Sequence, residues 1–121
     1  MAHGDICHVE LASNDIEATR TFYETIFGWT FEEIPGFETY AMFRTPGGLG
    51  GGIDSGPNAE APSKAGPVLH LETEDIDSIL KQIEAAGGET LAPKTKISDE
   101  FGFYALFADN VGNRLGLWSR R

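Results

Sequence analysis

The chain has 121 residues, enough for one folded unit with one core and too few for two independent domains. Apolar residues make up 40%, a globular value that argues against wholesale disorder. The formal net charge of −10 argues against nucleic acid and anionic membranes as partners, because nothing would offset phosphate repulsion. Its plain reading is solubility, and a cationic ligand is the sharper one. No apolar run approaches the roughly 18 residues that a membrane span needs. Met1 to Asp5 lacks the basic and apolar segments of a signal peptide. Cys7 is the only cysteine, which fits a reducing compartment, and a cytoplasmic protein is expected.

The first predicted element is a strand, Ile6 to Leu11. Its period-2 alternation puts Cys7, Val9 and Leu11 on one face and His8 and Glu10 on the other. A helix over 15–27 follows, with Asn14 as candidate N-cap, an apolar stripe of Ile16, Phe22, Tyr23, Ile26 and Phe27, and Gly28 as its stop. Tyr40 to Arg44 reads as a strand, and Thr45-Pro46-Gly47-Gly48 as a turn into a last strand. Gly47 to Gly52 lacks the G-K-[ST] ending and following helix of a phosphate loop; its glycines are expected to permit a bulge or to leave room beside a cleft. Residues 56–66 read as a linker. Beyond it, Leu69 and Leu71 share one strand face, and Val68, His70 and Glu72 the other. A helix over 75–86 carries Ile76, Ile79, Leu80, Ile83 and Ala86 at helical spacing and stops at Gly87-Gly88. Tyr104 to Ala108, the Asp109-Asn110-Val111-Gly112 turn and Arg114 to Trp118 complete the chain.

The two halves repeat each other. Asp15-Ile16-Glu17 recurs as Asp75-Ile76-Asp77, and Gly28 as Gly88, at an offset of 60. Phe37-x-x-Tyr40-Ala41-Met42-Phe43 recurs as Phe101-x-x-Tyr104-Ala105-Leu106-Phe107 at an offset of 64, as do Gly48 with Gly112 and Gly52 with Gly116. An insertion within 93–100 reconciles the offsets. The fold class is therefore α+β: two tandem βαβββ modules, about 4–55 and 67–121, forming a curved mixed sheet around one cleft.

This duplication, opening with His8-Val9-Glu10-Leu11 and running through Phe22-Tyr23 and Phe27-Gly28-Trp29 to the Asp109-to-Asn113 turn, resembles the vicinal oxygen chelate superfamily of glyoxalases, bleomycin-resistance proteins and extradiol dioxygenases. The resemblance implies a homodimer and a small-molecule ligand. In metal-dependent members it implies a divalent metal that polarises two neighbouring substrate oxygens, held by one ligand from the first and one from the last strand of each half. Carried over, His8 matches the first ligand. The other three places fall on Val68, Gly52 and Gly116, which offer no donor, so no resident metal is expected.

Three readings of the polar strand faces stay open. Residues two apart on a strand have Cα atoms about 6.6 Å apart and can converge on one ion, so one reading is a rearranged metal site of His8, Glu10 and His70, with Glu72 as a further candidate ligand. They are otherwise polar, hydrogen-bonded cleft groups. Or they do acid–base work without metal, Glu10 as a general base whose pKa desolvation raises and His8 as the donor to a developing oxyanion. His3 reads as solvated. Tyr40, Tyr104 and Trp118 are candidate ligand contacts, with Trp29 an aromatic of the wall or the core. Two functions follow: a glyoxalase-like lyase or isomerase of a small oxygenated metabolite, and a sequestering protein for a drug or antibiotic.

Overall fold

The computed structural model describes residues 3–57 and 67–121. The chain divides into two compact units, Met1–Ala61 and Pro62–Arg121. The expected linker lies outside the described residues except at 56 and 57. In the first unit β1 (Val9–Ala12), α1 (Ile16–Phe27), β2 (Thr30–Glu33), β3 (Tyr40–Arg44) and β4 (Gly50–Asp54) follow in order. The second repeats this plan as β5 (His70–Glu72), α2 (Ile76–Ala85), β6 (Glu89–Ser98), β7 (Gly102–Ala108) and β8 (Arg114–Ser119). Each unit is a four-stranded mixed sheet, β1-β4-β3-β2 and β5-β8-β7-β6, with the first strand parallel to the last and the other pairs antiparallel. No helix among the described residues is long and apolar enough to cross a membrane.

The helices form where the apolar stripes predict, with one correction. Asp15, not Asn14, is the N-cap of α1: its backbone is extended and its carboxylate accepts from the Ala18 amide at 3.1 Å. Asp75 caps α2 in the same way, accepting from Ser78. Gly28 ends α1 at φ 70°, a left-handed conformation that costs glycine little. After α2 the left-handed residue is Gly87 rather than the repeat-equivalent Gly88, where a Cβ would press on the Ala108 carbonyl and Ile83.

Phe22 and Tyr23 of α1 are buried, as are Leu11, Ala41, Phe43 and Ile53 of the sheet. Trp29 is core: its ring stacks 4.4 Å from Tyr23 and 4.4 Å from Phe43. The second unit buries Ile76, Leu80 and Ile83 with Ala105, Phe107, Leu115 and Leu117. Strand alternation therefore sends the opposite sheet faces, with His8, Glu10, His70 and Glu72, away from these cores. The extra residues of the second half are absorbed in β6, whose pairing with β7 shifts register at three places.

Candidate functional site

On the polar face of the first sheet, the register sets Glu10 of β1 beside Gly52 of β4, and Gly52 beside Met42 of β3. Tyr40, two residues before Met42, leaves β3 on the same face. Its hydroxyl donates to Glu10 Oε2 at 2.9 Å. That commits its one proton, so at the 2.8 Å contact with His8 the imidazole Nε2–H donates and the phenol oxygen accepts. The two rings are nearly parallel, 12° apart. His8 Nδ1 and the remaining lone pairs of Glu10 stay available to a ligand. Burial pushes the Tyr40 phenol up to about 12; the hydrogen bond to Glu10, the charge of Glu10 and that of Asp54 act in the same direction. At neutral pH the group is therefore a donor.

The glycines of β4 explain this arrangement and correct an expectation. β4 pairs with β3 in regular register, with no bulge. A Cβ on Gly52 would overlap the Tyr40 hydroxyl and ring, and one on Gly51 would overlap the Val9 carbonyl and the Phe43 ring. The room at Gly52 is filled by Tyr40. At Gly50 a Cβ would meet only the Phe43 carbonyl, at 3.7 Å. There the face stays open and a cavity of about 390 Å³ forms, lined by Thr30, Phe31, Glu32, Met42, Arg44 and Gly50 among others. Sequence reasoning singled out Tyr40 but neither its bridging position nor Glu32, Met42 and Arg44. The usable signal was the alternation Tyr40-x-Met42-x-Arg44 opposite Gly50-x-Gly52. A larger concavity of about 680 Å³ lies between the start of α1 and the β2–β3 connection, walled by Glu17, Glu33, Phe37 and Tyr40 among others.

In the second unit, His70 of β5 pairs with Gly116 of β8, and a Cβ on Gly116 would overlap the imidazole. His70 Nδ1–H donates to the Val68 carbonyl at 3.3 Å, which leaves Nε2 as the acceptor. Glu72, Trp118 and Tyr104 form one cross-strand row. Trp118 Nε1–H is held by the Phe101 carbonyl at 2.7 Å, and the Arg120 guanidinium lies 5.9 Å from its ring. His8, Glu10 and Tyr40 are thus brought together in one unit, and His70, Glu72, Tyr104 and Trp118 share a face of the other.

The residues do not fit the metal centre that the resemblance implies. Val68, Gly52 and Gly116 supply no donor, and the space beside the two glycines is taken by the Tyr40 and His70 rings. Among the described residues no group of three or more His, Cys, Asp or Glu side chains is placed to hold an ion.

The sequence matches a family model described as bleomycin resistance protein-like N-terminal over residues 6–46, the stretch that holds His8, Glu10 and Tyr40. It is 28% identical over 115 residues to the glyoxylase-named protein CFP32 of Mycobacterium tuberculosis, covering 91% of this chain and 43% of that protein. It is 30% identical over 125 residues to the anthracycline biosynthesis protein DnrV of Streptomyces peucetius, covering 92% of this chain and 45% of that one. The chain thus spans under half the length of these curated relatives. A glyoxalase/bleomycin resistance protein/dioxygenase family enzyme from Burkholderia phytofirmans has the same fold, with TM-score 0.77 at 17% identity over 98% of this chain and 100% of that one. So does the fosfomycin resistance protein FosX from Listeria monocytogenes, solved with Mn(II) and 1S,2S-dihydroxypropylphosphonic acid: TM-score 0.75, 20% identity, 99% of this chain and 93% of that one.

Proposed function

Because the chain belongs to the vicinal oxygen chelate superfamily, we propose that it is a glyoxalase-like protein that binds a small oxygenated metabolite on the polar face of its first sheet and turns it over as a lyase or isomerase without a resident metal. The observation that carries this reading is the hydrogen-bonded series His8–Tyr40–Glu10 over Gly52. A ligand oxygen that displaces Glu10 from the Tyr40 hydroxyl receives that hydrogen bond and leaves the carboxylate free. Glu10 then removes a proton from the ligand. Tyr40, with His8 Nε2–H behind it, donates to the oxyanion that develops, and the Glu10 carboxylic acid returns the proton to the neighbouring atom. A positioned base of this kind typically contributes about 10²–10⁴-fold. In the second unit, His70, Glu72, Tyr104 and Trp118 are the corresponding ligand-contacting residues.

The alternative is a protein that sequesters a drug or antibiotic. It is favoured by the bleomycin-resistance-like match, which covers the stretch holding the three bridged residues. A homodimer in the cytoplasm belongs to either reading. A thermal-shift screen of oxygenated metabolites and antibiotics, run with EDTA and with divalent metals, separates them. A metabolite that stabilises the protein in EDTA and is chemically changed supports turnover. An unchanged ligand supports sequestration, and hits found only with metal contradict the metal-free site.

A further inference from the structure

Residues 3–57 contain two cationic side chains besides histidine, Arg20 and Arg44. Arg20 is engaged by Glu24 and Glu33. Arg44 has one bond, from its Nη1–H to the Gly48 carbonyl at 2.8 Å, and the ion pairs of the described residues do not include it. A guanidinium has five donors in a planar fork, so most of Arg44's remain for a ligand. They lie at the 390 Å³ cavity that the bare Gly50 leaves open. That volume is within the usual range of small-molecule sites, about 300–1,000 Å³. Gly50 is two residues from Gly52 on one face of β4, so a ligand held here extends towards the Tyr40 hydroxyl, about 6.6 Å along the strand.

We infer that this cavity is an anion-recognition subsite, with Arg44 binding the carboxylate of a small molecule whose other end reaches His8, Tyr40 and Glu10. It rests on the proposed ligand-binding face and narrows its ligand class to singly charged carboxylates. Met42, on the same sheet face as Arg44, offers an apolar contact to the carbon skeleton. Glu32 lines the same cavity and sets the charge limit: it tolerates one negative charge beside Arg44 and repels a dianion such as a phosphate monoester. The net charge of −10 does not forbid the site, because exposed charges beyond about 8 Å are largely screened at physiological salt. A paired guanidinium–carboxylate contact at short range is the stronger effect.

Amide NMR titrations with benzoate, benzamide and phenyl phosphate test this directly. Benzoate is expected to shift the amides of residues 30–32, 42–44 and 48–50, and to bind about tenfold more tightly than benzamide. Arg44→Gln should remove that advantage. Glu32→Gln should tighten benzoate and bring phenyl phosphate to at least equal affinity. The subsite is refuted by any of four results: benzamide binding as well as benzoate, Arg44→Gln leaving benzoate affinity unchanged, phenyl phosphate binding more tightly than benzoate to the unaltered protein, or no shift at these amides at millimolar benzoate. Any of these leaves the His8–Tyr40–Glu10 reading standing. A metabolite screen whose hits ignore Glu10 and Tyr40 removes that reading while leaving a measured benzoate site intact.

Discussion

The Tyr40 hydroxyl occupies the space that a side chain on Gly52 would need. Gly52→Ala should therefore displace the phenol or strain the sheet, at a cost of about 1–3 kcal/mol typical of overpacking. In a double-mutant cycle, Tyr40→Ala should relieve most of that cost, because the clash is then absent. Urea unfolding of the four proteins measures it. Strictly additive effects would mean that the two residues do not share this space.

Tyr40 also predicts a pH dependence. Its folded pKa of about 12 lies above the ordinary value of 10.0. Such an acid favours the folded state fully below its unfolded pKa, and that contribution is lost as pH climbs from about 10 towards 12. Unfolding free energies measured at pH 9 and pH 11 (a span of about two units bracketing the ordinary phenol pKa) should fall further for the unaltered protein than for Tyr40→Phe. Equal falls would mean that the phenol carries no raised pKa.

The second unit offers a parallel test at His70. Its Nδ1 contact with the Val68 carbonyl predicts the Nδ1–H tautomer. Nitrogen-15 couplings of the imidazole read the tautomer, and a proton found on Nε2 would contradict the geometry. Gly116→Ala should displace the ring and abolish the preference.

At the start of α1, Asp15→Ala should cost about 1 kcal/mol, as loss of an N-cap does, while Asn14→Ala costs little. Thermal unfolding ranks the two, and the reverse order would overturn the assignment of the cap.

The fold was legible because each element had its own pattern. The stripe from Ile76 to Ile83 located α2, the alternation about Leu11 separated core from polar face, and the repeat supplied the order of strands. Gly48 and Gly112, matched by offset alone, take nearly the same left-handed φ, 99° and 98°. The Asn14 error is of one residue, because both Asn and Asp cap well and only the backbone path decides. The candidate site was half legible. Alternation placed His8 and Glu10 together, but Tyr40 of β3 bridges them by leaning across Gly52 of β4 to Glu10 on β1, two strands away, and off its own cross-strand partner Asp54. Side-chain direction of that kind leaves no periodic trace. Arg44 was hidden for a similar reason: a single exposed arginine acquires meaning only when the neighbouring Gly50 is seen to leave space.

The central claim, a metal-free ligand site at His8, Tyr40 and Glu10, is tested most directly by the double variant His8→Ala, Glu10→Gln. Binding of the best metabolite hit, measured calorimetrically in EDTA, should weaken at least about tenfold, a loss of about 1.4 kcal/mol. Thermal stability should change little, since both side chains are exposed. A variant that binds the hit as tightly as the unaltered protein, or one equivalent of Zn, Ni, Fe or Mn carried by the purified protein and lost on His8→Ala, would contradict the account.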